Sequence, residues 1–424
     1  MKAAGIIAEY NPFHSGHSYL AAKTRELSGA EVLVSVMSGN FVQGGEPACL
    51  DKWVRAKHAV MQGGVDVVFE LPVYYALGSA ELFAEGGTAI LRGLGMDFLA
   101  FGSESGVLSE LEEAASFLSE EDGEFKEALK DALSEGLSFP AARARALSAS
   151  AGGEKGKRLS ALIEEPNNIL AVEYLKQLIV HEDSMQPLTV KRKGAYYGAE
   201  DISGGKANAD SYEPCFSSAS AIRLAAKEGR LSELEKPGML HRETVEELKN
   251  AELKTLELRF FEALRTAVLR SRVSELSGIR GASEVLENKL HEAVRKSGDL
   301  EELIAALKSK RYTRTAIKRF LCCVLLGIKS DMLSGSLVPA ALEMPCYARL
   351  LAFNERGAKW LRYIKDNERA DIAVISNINK EMPEDSALRE LLSLDIAASD
   401  IYTGLRDGDI YGESDYVRMP CKIS

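Results

Sequence analysis

The sequence predicts an α/β protein in which a Rossmann-like parallel-sheet domain, residues 1–230, precedes a mainly α-helical domain, residues 231–424. In the first half, short apolar runs typical of buried parallel strands alternate with segments of helical spacing. Turns rich in small and polar residues follow these runs. From Leu231 onward, leucine and alanine recur every three or four residues, as in helices with one apolar face. At 424 residues the chain is also too long for one ordinary core, which favours two domains.

The first predicted strand leads into the most informative turn. An apolar run extends from Ala3 to Ala8, Asn11-Pro12 interrupts it, and a helical pattern begins near Gly16. His14 and His17 therefore flank a glycine where a strand gives way to a helix. Free backbone N–H groups and the helix dipole favour anions at such a place, and glycine lets a phosphate approach closely. The alternative is two ordinary polar turn residues, but the position after the first strand favours a nucleotide site.

Four further strands are predicted, namely Glu31 to Met37, Val65 to Leu71, Met96 to Phe101 and Leu188 to Lys191. Ligands of open α/β sheets bind at the carboxyl ends of the strands. Gly102 follows one such end, although a simple strand-ending turn would by itself explain this glycine better. Arg192 follows another end. It either binds a triphosphate through two parallel hydrogen bonds or belongs to an exposed basic edge, and the residues alone leave both interpretations open.

Cations and asparagines elsewhere in the first half are also candidates. On the helix predicted from Asp51 to Met61, Lys52 and Arg55 either lie on an exposed face or reach a phosphate group or an RNA. Asn167 and Asn168 precede the helix predicted from Ile169 to Leu178. One asparagine suffices as an N-cap, so two in a row exceed what capping needs, and we expect Asn168 to be the cap.

The second half is predicted to be helical over Glu243 to Arg272 and Ala282 to Arg295, with a strand-like run from Ala370 to Ser376. Between Leu303 and Ser330 there are seven cations and no acidic residue. Within this basic stretch, Arg311, Arg314 and Lys318 share one helical face. The stretch either contacts RNA or balances the acidic excess found elsewhere.

The composition restricts the class of protein. A hydrophobic content of 46% and a charged content of 27% are typical of globular proteins, and the apolar runs are too short for a membrane span. With no leader-like segment at the N-terminus, we expect a cytoplasmic protein. The cysteines show no CxxC spacing and are expected to be reduced; they are Cys49, Cys215, Cys322, Cys323, Cys346 and Cys421. The net charge of −11 argues against a protein that coats nucleic acid but allows a local basic patch.

Three strings resemble a known family. His14-Ser15-Gly16-His17 resembles the HxGH signature of the nucleotidyltransferase superfamily, which has a Rossmann-like, HUP-type fold. The longer string from Ala8 to His14 is similar to that of the tRNA(Met) cytidine acetate ligases. The segment from Phe216 to Arg223 resembles the second superfamily signature, ISSTxxR, although alanine replaces one hydroxylic residue and no isoleucine leads the string. The family usually has an arginine where Gly44 stands, so a contact from that position is in doubt.

The resemblance implies an enzyme that joins acetate to AMP from ATP and passes the acetyl group to the wobble cytidine of elongator tRNA(Met). His14 and His17 are then the catalytic residues. The implied ATP-binding residues are Ile7, Ala8, Glu9, Tyr10, Asn11, Pro12, Phe13, His14, Ser15, Gly16, His17, Ser18, Tyr19, Leu20, Gly102, Asn167, Arg192, Ser217 and Ser218. Mg²⁺ is expected to bridge the phosphates, with no metal site made of protein residues alone. The residues expected to bind RNA are Arg311, Arg314, Lys318 and Arg319.

Two alternatives stay open. The first is a nucleotidyltransferase that adenylylates a phosphate-bearing metabolite; such enzymes are typically shorter, and the additional basic stretch favours a large second substrate. The second is a non-catalytic RNA-binding protein with a nucleotide-binding fold, against which the intact histidines and Gly16 argue. ATP–pyrophosphate exchange that requires acetate distinguishes all three.

Overall fold

The computed structural model describes residues 1–120, 122–193, 216–234, 240–283, 286–333, 345–406 and 409–424. Cys215 lies outside these ranges. The strands are β1 (Ala3–Ala8), β2 (Val32–Ser38), β3 (Phe41–Val42), β4 (Glu46–Pro47), β5 (Val67–Leu71), β6 (Phe98–Ser103), β7 (Gln186–Lys191), β8 (Ala348–Phe353), β9 (Val374–Ile375) and β10 (Cys421–Lys422).

Most of the helices pack around the sheet or against one another in the second half. They are α1 (Ser15–Ser28), α2 (Lys52–Gly63), α3 (Val73–Ala76), α4 (Ala80–Gly93), α5 (Leu108–Glu120), α6 (Gly123–Ser134), α7 (Phe139–Ala151), α8 (Gly153–Leu162), α9 (Pro166–Val180), α10 (Ala219–Lys227), α11 (Leu231–Leu234), α12 (Arg242–Asn250), α13 (Leu253–Arg270), α14 (Val273–Leu276), α15 (Leu286–Ala293), α16 (Leu300–Leu307), α17 (Arg314–Leu326), α18 (Glu355–Asp366), α19 (Ile378–Glu381), α20 (Ser386–Arg406) and α21 (Ile410–Glu413). None of the described helices is both long and apolar enough to cross a membrane.

The main sheet has the strand order β10-β8-β5-β2-β1-β6-β7, with β9 paired to β8. The five strands β5, β2, β1, β6 and β7 are mutually parallel, as predicted from their alternation with helices. β1 lies in the middle of the sheet, so the turn after it opens at the centre of the carboxyl edge. The predicted fold class, a parallel-sheet α/β region followed by a helical part, is confirmed.

The sheet carries one apolar core on each face. Adjacent residues of β1 point to opposite sides, so Ile6 packs with Trp53 of α2 and Ile7 packs toward α4. The second packing is so close that a Cβ on Gly87 of α4 would lie 2.7 Å from Cδ1 of Ile7. These contacts hold the carboxyl end of β1 rigidly.

Gly102 lies within β6 rather than after it, so the predicted end of that strand is wrong. The parallel ladder with β7 continues through the pair of Gly102 with Val190 and ends at the pair of Ser103 with Lys191. The two strands therefore end together, and Arg192 follows directly beside them.

The second half returns to the sheet. β8 pairs antiparallel with β5, and β10 pairs parallel with β8. The helix predicted from Glu243 to Arg272 is divided into α12 and α13 at Ala251 and Glu252. The division into two domains at residue 230 stays a prediction. Three strands that follow residue 230, namely β8, β9 and β10, belong to the main sheet.

Candidate functional site

The turn from β1 to α1 is built around the two histidines. His14 is the N-cap of α1, and its Nδ1 accepts a hydrogen bond from the Gly16 N–H at 3.0 Å. The Nδ1 of His17 accepts from the His14 N–H at 3.2 Å, so each ring satisfies one backbone donor of the helix start. A Cβ on Gly16 would lie 2.8 Å from Cε1 of His14, which explains the need for glycine here.

These hydrogen bonds assign the tautomer of both rings. Because each Nδ1 accepts a hydrogen bond, the proton of each neutral ring is on Nε2. Burial, followed by the positive charges of Arg192 and Arg223, lowers the pKa of His14 to about 3. Burial, followed by His14 and Arg192, lowers the pKa of His17 well below its usual value. Both rings are thus neutral near pH 7, and each has an Nε2–H group that can donate to an anionic oxygen.

Aromatic side chains orient the rings. The centroids of His14 and His17 lie 3.9 Å apart, and Tyr10 approaches His17 edge-on with a centroid distance of 4.9 Å. Phe13 contacts both Tyr10 and His17. His17 as a whole residue is only partly buried.

Several residues of the predicted ATP-binding stretch have their side chains in the core. Ile7, Tyr10 and Phe13 are buried, and Phe13 is so tightly packed that a Cβ on Gly63 would lie 2.2 Å from its Cζ. Ala8 and Leu20 are partly buried against the same core as Phe13. The side chains of these residues thus serve mainly packing, whereas the histidines, Ser15 and Gly16 lie at the helix start.

The loop before α1 also contains Asn11 and Pro12, and the first turns of α1 contain Ser18 and Tyr19. The buried Asn11 accepts a hydrogen bond from the Cys49 N–H at 2.8 Å, and Pro12 is buried beside it. Ser18 donates to the Gln62 carbonyl at 3.3 Å, which ties α1 to α2. Tyr19 lies beneath the ammonium group of Lys193, 5.8 Å from its ring centroid.

A second group of predicted residues meets at the ends of β6 and β7. Arg192 Nη1 donates to Oδ1 of Asn167 at 2.9 Å, and Asn167 donates in turn to Glu104. A Cβ on Gly102 would lie 3.4 Å from Cγ of Arg192, so these two residues are neighbours.

The expectation that Asn168 caps α9 is wrong. The N-cap is Glu165, which makes no capping hydrogen bond with its side chain. Instead the carboxylate of Glu104 accepts from the Asn168 N–H at 2.8 Å, and Asn168 Oδ1 accepts from the Glu104 N–H at 2.9 Å. The start of α9 is thereby joined to the end of β6 by a reciprocal pair of hydrogen bonds.

The start of α10 lies beside the start of α1, although the two are far apart in the sequence. Ser218 is the N-cap of α10 and accepts from the Ala221 N–H at 3.1 Å, and Ser217 is buried next to it. The Phe216 ring packs on Tyr19 with a centroid distance of 5.6 Å. The two resembling signatures therefore meet at the carboxyl edge of the sheet.

Lys52 and Arg55 do not lie on an exposed face, so that prediction is wrong, and protein groups surround both side chains. Lys52 is fully buried, and its Nζ contacts Glu70 at 2.8 Å and Asp415 at 2.7 Å. Arg55 is also buried and donates to the backbone carbonyls of Glu9, Ser38, Gly39 and Leu50. Both cations stabilise the loops behind the site.

The four residues expected to bind RNA have different surroundings. Arg311 lies before α17 and is partly exposed. Arg314 forms an exposed ion pair with Glu301. Lys318 forms an ion pair with Glu46, and Arg319 Nη1 donates to the Gln43 carbonyl at 3.4 Å, so these two face the β3–β4 hairpin.

Sequence reasoning missed the acidic partners of the site, Glu46 and Glu104. Glu104 is close to Gly102 in the sequence and could have been considered, whereas no local pattern marks Glu46. Arg223, which donates to the Asn11 carbonyl at 2.7 Å, was indicated by its place at the end of the second signature. Among the described residues, no group of three His, Cys, Asp or Glu side chains could hold a metal ion.

Comparisons with known proteins identify the family. A family model described as HIGH Nucleotidyl Transferase matches residues 1–414. A tRNA(Met) cytidine acetate ligase of Caldicellulosiruptor saccharolyticus is 39% identical over 95% of this chain and 94% of its own length. The crystal structure of apo Thermotoga maritima TmcAL is similar with a TM-score of 0.88 and 30% identity over 100% of both chains. The same protein bound with alpha-thio ATP gives a TM-score of 0.85, again at 30% identity over 100% of both chains.

Proposed function

Because the chain belongs to the tRNA(Met) cytidine acetate ligase family, we propose that it activates acetate with ATP and transfers the acetyl group to the wobble cytidine of elongator tRNA(Met), giving N4-acetylcytidine. The observation that carries the proposal is the pair of neutral histidines at the start of α1. Their Nε2–H groups are the donors that remain after both Nδ1 atoms have accepted backbone hydrogen bonds.

In the first step an acetate oxygen attacks the α-phosphorus of ATP, and the bond to pyrophosphate breaks. Acetyl-AMP and pyrophosphate are the products. His14, His17 and the start of α1 would stabilise the negative charge that grows on the α-phosphate oxygens. Neutral rings donate hydrogen bonds without having to release a proton, which suits a step in which no proton is transferred.

The remaining residues would hold the nucleotide. We propose that Gly102 and Asn167 support the nucleoside at the sheet edge, and that Arg192, Ser217 and Ser218 hold the outer phosphates. Arginine suits this role because its guanidinium can make two parallel hydrogen bonds to a phosphate. Positioning and charge stabilisation supply most of what such a reaction needs.

In the second step the exocyclic amine of cytidine attacks the acetyl carbonyl carbon, the bond to AMP breaks, and the amine loses a proton. We propose that Arg311, Arg314, Lys318 and Arg319 contribute to tRNA binding. The proposed acceptor is tRNA in the cytoplasm. We propose that Mg²⁺ is held by the ATP phosphates, since this hard cation prefers phosphate and water oxygens.

The test is ATP–pyrophosphate exchange with purified protein. We expect exchange that requires acetate and acetylation of tRNA(Met) by the complete reaction. Mass spectrometry of tRNA nucleosides from cells with and without the gene should show acetylated wobble cytidine only when the gene is present. Exchange that ignores acetate but requires a phosphate-bearing metabolite would refute the proposal in favour of an adenylyltransferase, and its complete absence would favour a non-catalytic RNA-binding protein.

A further inference from the structure

A carboxylate on the β3–β4 hairpin connects two helices that are distant in sequence. Glu46 Oε1 lies 2.9 Å from Nη2 of Arg223 on α10, and its Oε2 forms an ion pair with Nζ of Lys318 on α17. Arg223 Nη1 donates in turn to the Asn11 carbonyl at 2.7 Å. A continuous chain of charge-assisted contacts therefore runs from α17 to the loop that precedes His14.

The hairpin itself is held from both sides. Gly45 has a φ of +75°, and a Cβ at this position would lie 2.4 Å from the Arg319 backbone nitrogen, so the hairpin turn packs directly on α17. On the opposite side the Gly44 N–H donates to Oε1 of Glu9, at the end of β1, at 3.2 Å. Because these contacts hold the hairpin, Glu46 cannot easily shift to keep its contacts if Arg223 or Lys318 moves.

The charges of this chain are partly withdrawn from solvent. The side chains of Glu46 and Arg223 are each 25% exposed, and that of Lys318 is 20% exposed. Burial alone would raise the pKa of Glu46, but Arg223 and Lys318 together lower it, so the carboxylate is ionised near pH 7. Partly buried ion pairs with good geometry are stronger than exposed ones, because solvent screens them less.

We propose that Glu46 is a positioning residue for nucleotide binding, because it holds the Arg223 guanidinium at the loop that precedes His14. Lys318 in turn holds Glu46. As a result, α17 and this loop are energetically coupled. The inference rests on the proposed function, because the Asn11 carbonyl that Arg223 contacts belongs to the loop proposed to bind ATP. Beyond that function, it makes ATP binding depend on the β3–β4 hairpin and on α17, to which the proposed function gives no nucleotide contact.

The test compares variants in the complete protein by calorimetric binding of α,β-methylene-ATP and by exchange kinetics. Glu46→Gln should raise the Kd for the analogue and the KM for ATP about tenfold, with kcat changed less than about twofold, because an ionic hydrogen bond is lost at a residue that positions substrate. Glu46→Asp keeps the charge and should restore part of the affinity. Lys318→Met should raise the Kd about threefold, and the double variant should match Glu46→Gln alone.

Glu257→Gln is the matched control, because it removes an ion pair at 2.5 Å between α13 and Lys227, one turn after Arg223 on α10. We expect no change in its Kd. Three outcomes would each overturn the proposal. They are an unchanged Kd in Glu46→Gln, effects of Glu46→Gln and Lys318→Met on the Kd that multiply in the double variant, and an equal loss of affinity in Glu257→Gln. If Glu46→Gln does not fold, Lys318→Met and Glu46→Asp decide the question. Absence of acetate-dependent exchange in the unmodified protein would refute the proposed function instead, since analogue binding does not require acetate.

Discussion

The histidine turn was predicted from local sequence to bind phosphate, and cations of α2 and α17 were considered as contacts for phosphate or RNA, but their surroundings in the structure differ. Within one helical turn His14 accepts from the Gly16 N–H and His17 accepts from the His14 N–H, and both rings retain their Nε2–H groups. Lys52, on α2, is instead neutralised by acidic residues from β5 and from the C-terminal segment. Lys318, on α17, pairs with Glu46 of the hairpin. A cation's role depends on which acids the fold brings to it, whereas a capping histidine finds its partners within a few residues.

The largest effect should come from Lys52→Met, which leaves two buried carboxylates without one of their cations. We expect a loss of about 3–5 kcal/mol in the free energy of unfolding, the usual cost of breaking a buried ion pair. Denaturant unfolding measures this, with Lys57→Met on the exposed face of the same helix as the control, expected to change stability by less than about 0.5 kcal/mol. A variant of normal stability with a strongly raised KM for ATP would restore the prediction that Lys52 reaches a phosphate.

His14→Asn separates the two roles of this histidine. Asparagine is a good N-cap, so α1 should start normally, but it lacks the Nε2–H donor. We expect acetyl-AMP formation to fall about 10²–10³-fold, the usual loss for one donor to a transition-state oxyanion, with little change in melting temperature. Normal turnover in this variant would mean that His14 only caps the helix.

The pH dependence of stability follows from the lowered pKa of His14, about 3 in the folded protein, against about 6.5 when unfolded. Below pH 6.5 the unfolded state binds more protons at this residue, so this contribution to stability is complete above the unfolded pKa and is lost as the pH falls toward 3. Between pH 6 and 5 the unfolding free energy of the unmodified protein falls as the pH is lowered. In His14→Asn we expect this fall to be smaller by about 1 kcal/mol per pH unit. Equal slopes in urea titrations of the two proteins would show that His14 is not held neutral.

The smallest effect concerns Arg314 and its exposed partner Glu301. If Arg314 binds tRNA, Glu301→Gln should tighten tRNA binding about two- to threefold at low salt, because an exposed pair is worth only about 0.2–1 kcal/mol. Filter binding over a range of salt concentrations measures the change. Glu301→Gln in an Arg314→Met background is the control and should have no effect. Unchanged affinity in the single variant would remove Arg314 from the RNA surface.

Much of the first half could be predicted because its signals are local. The strands β1, β2, β5, β6 and β7 appear close to their predicted positions, since runs of buried residues bounded by turns are read directly from the sequence. The end of β6 was misplaced because Gly102 resembles a turn residue until β7 pairs with it. β8 and β10 were not predicted, because their short segments carry no local sequence signal for the strands with which they pair.

The sequence by itself determined the strand, turn and helix that carry His14 and His17, because an N-cap and its reciprocal hydrogen bonds involve residues at most three positions apart. Only the tertiary structure decided which cations remain available and which carboxylates organise the site. Lys52 meets Asp415 across 363 positions, and Lys318 meets Glu46 across 272. No local pattern encodes such pairs, since they form only after the second half of the chain has returned to the sheet.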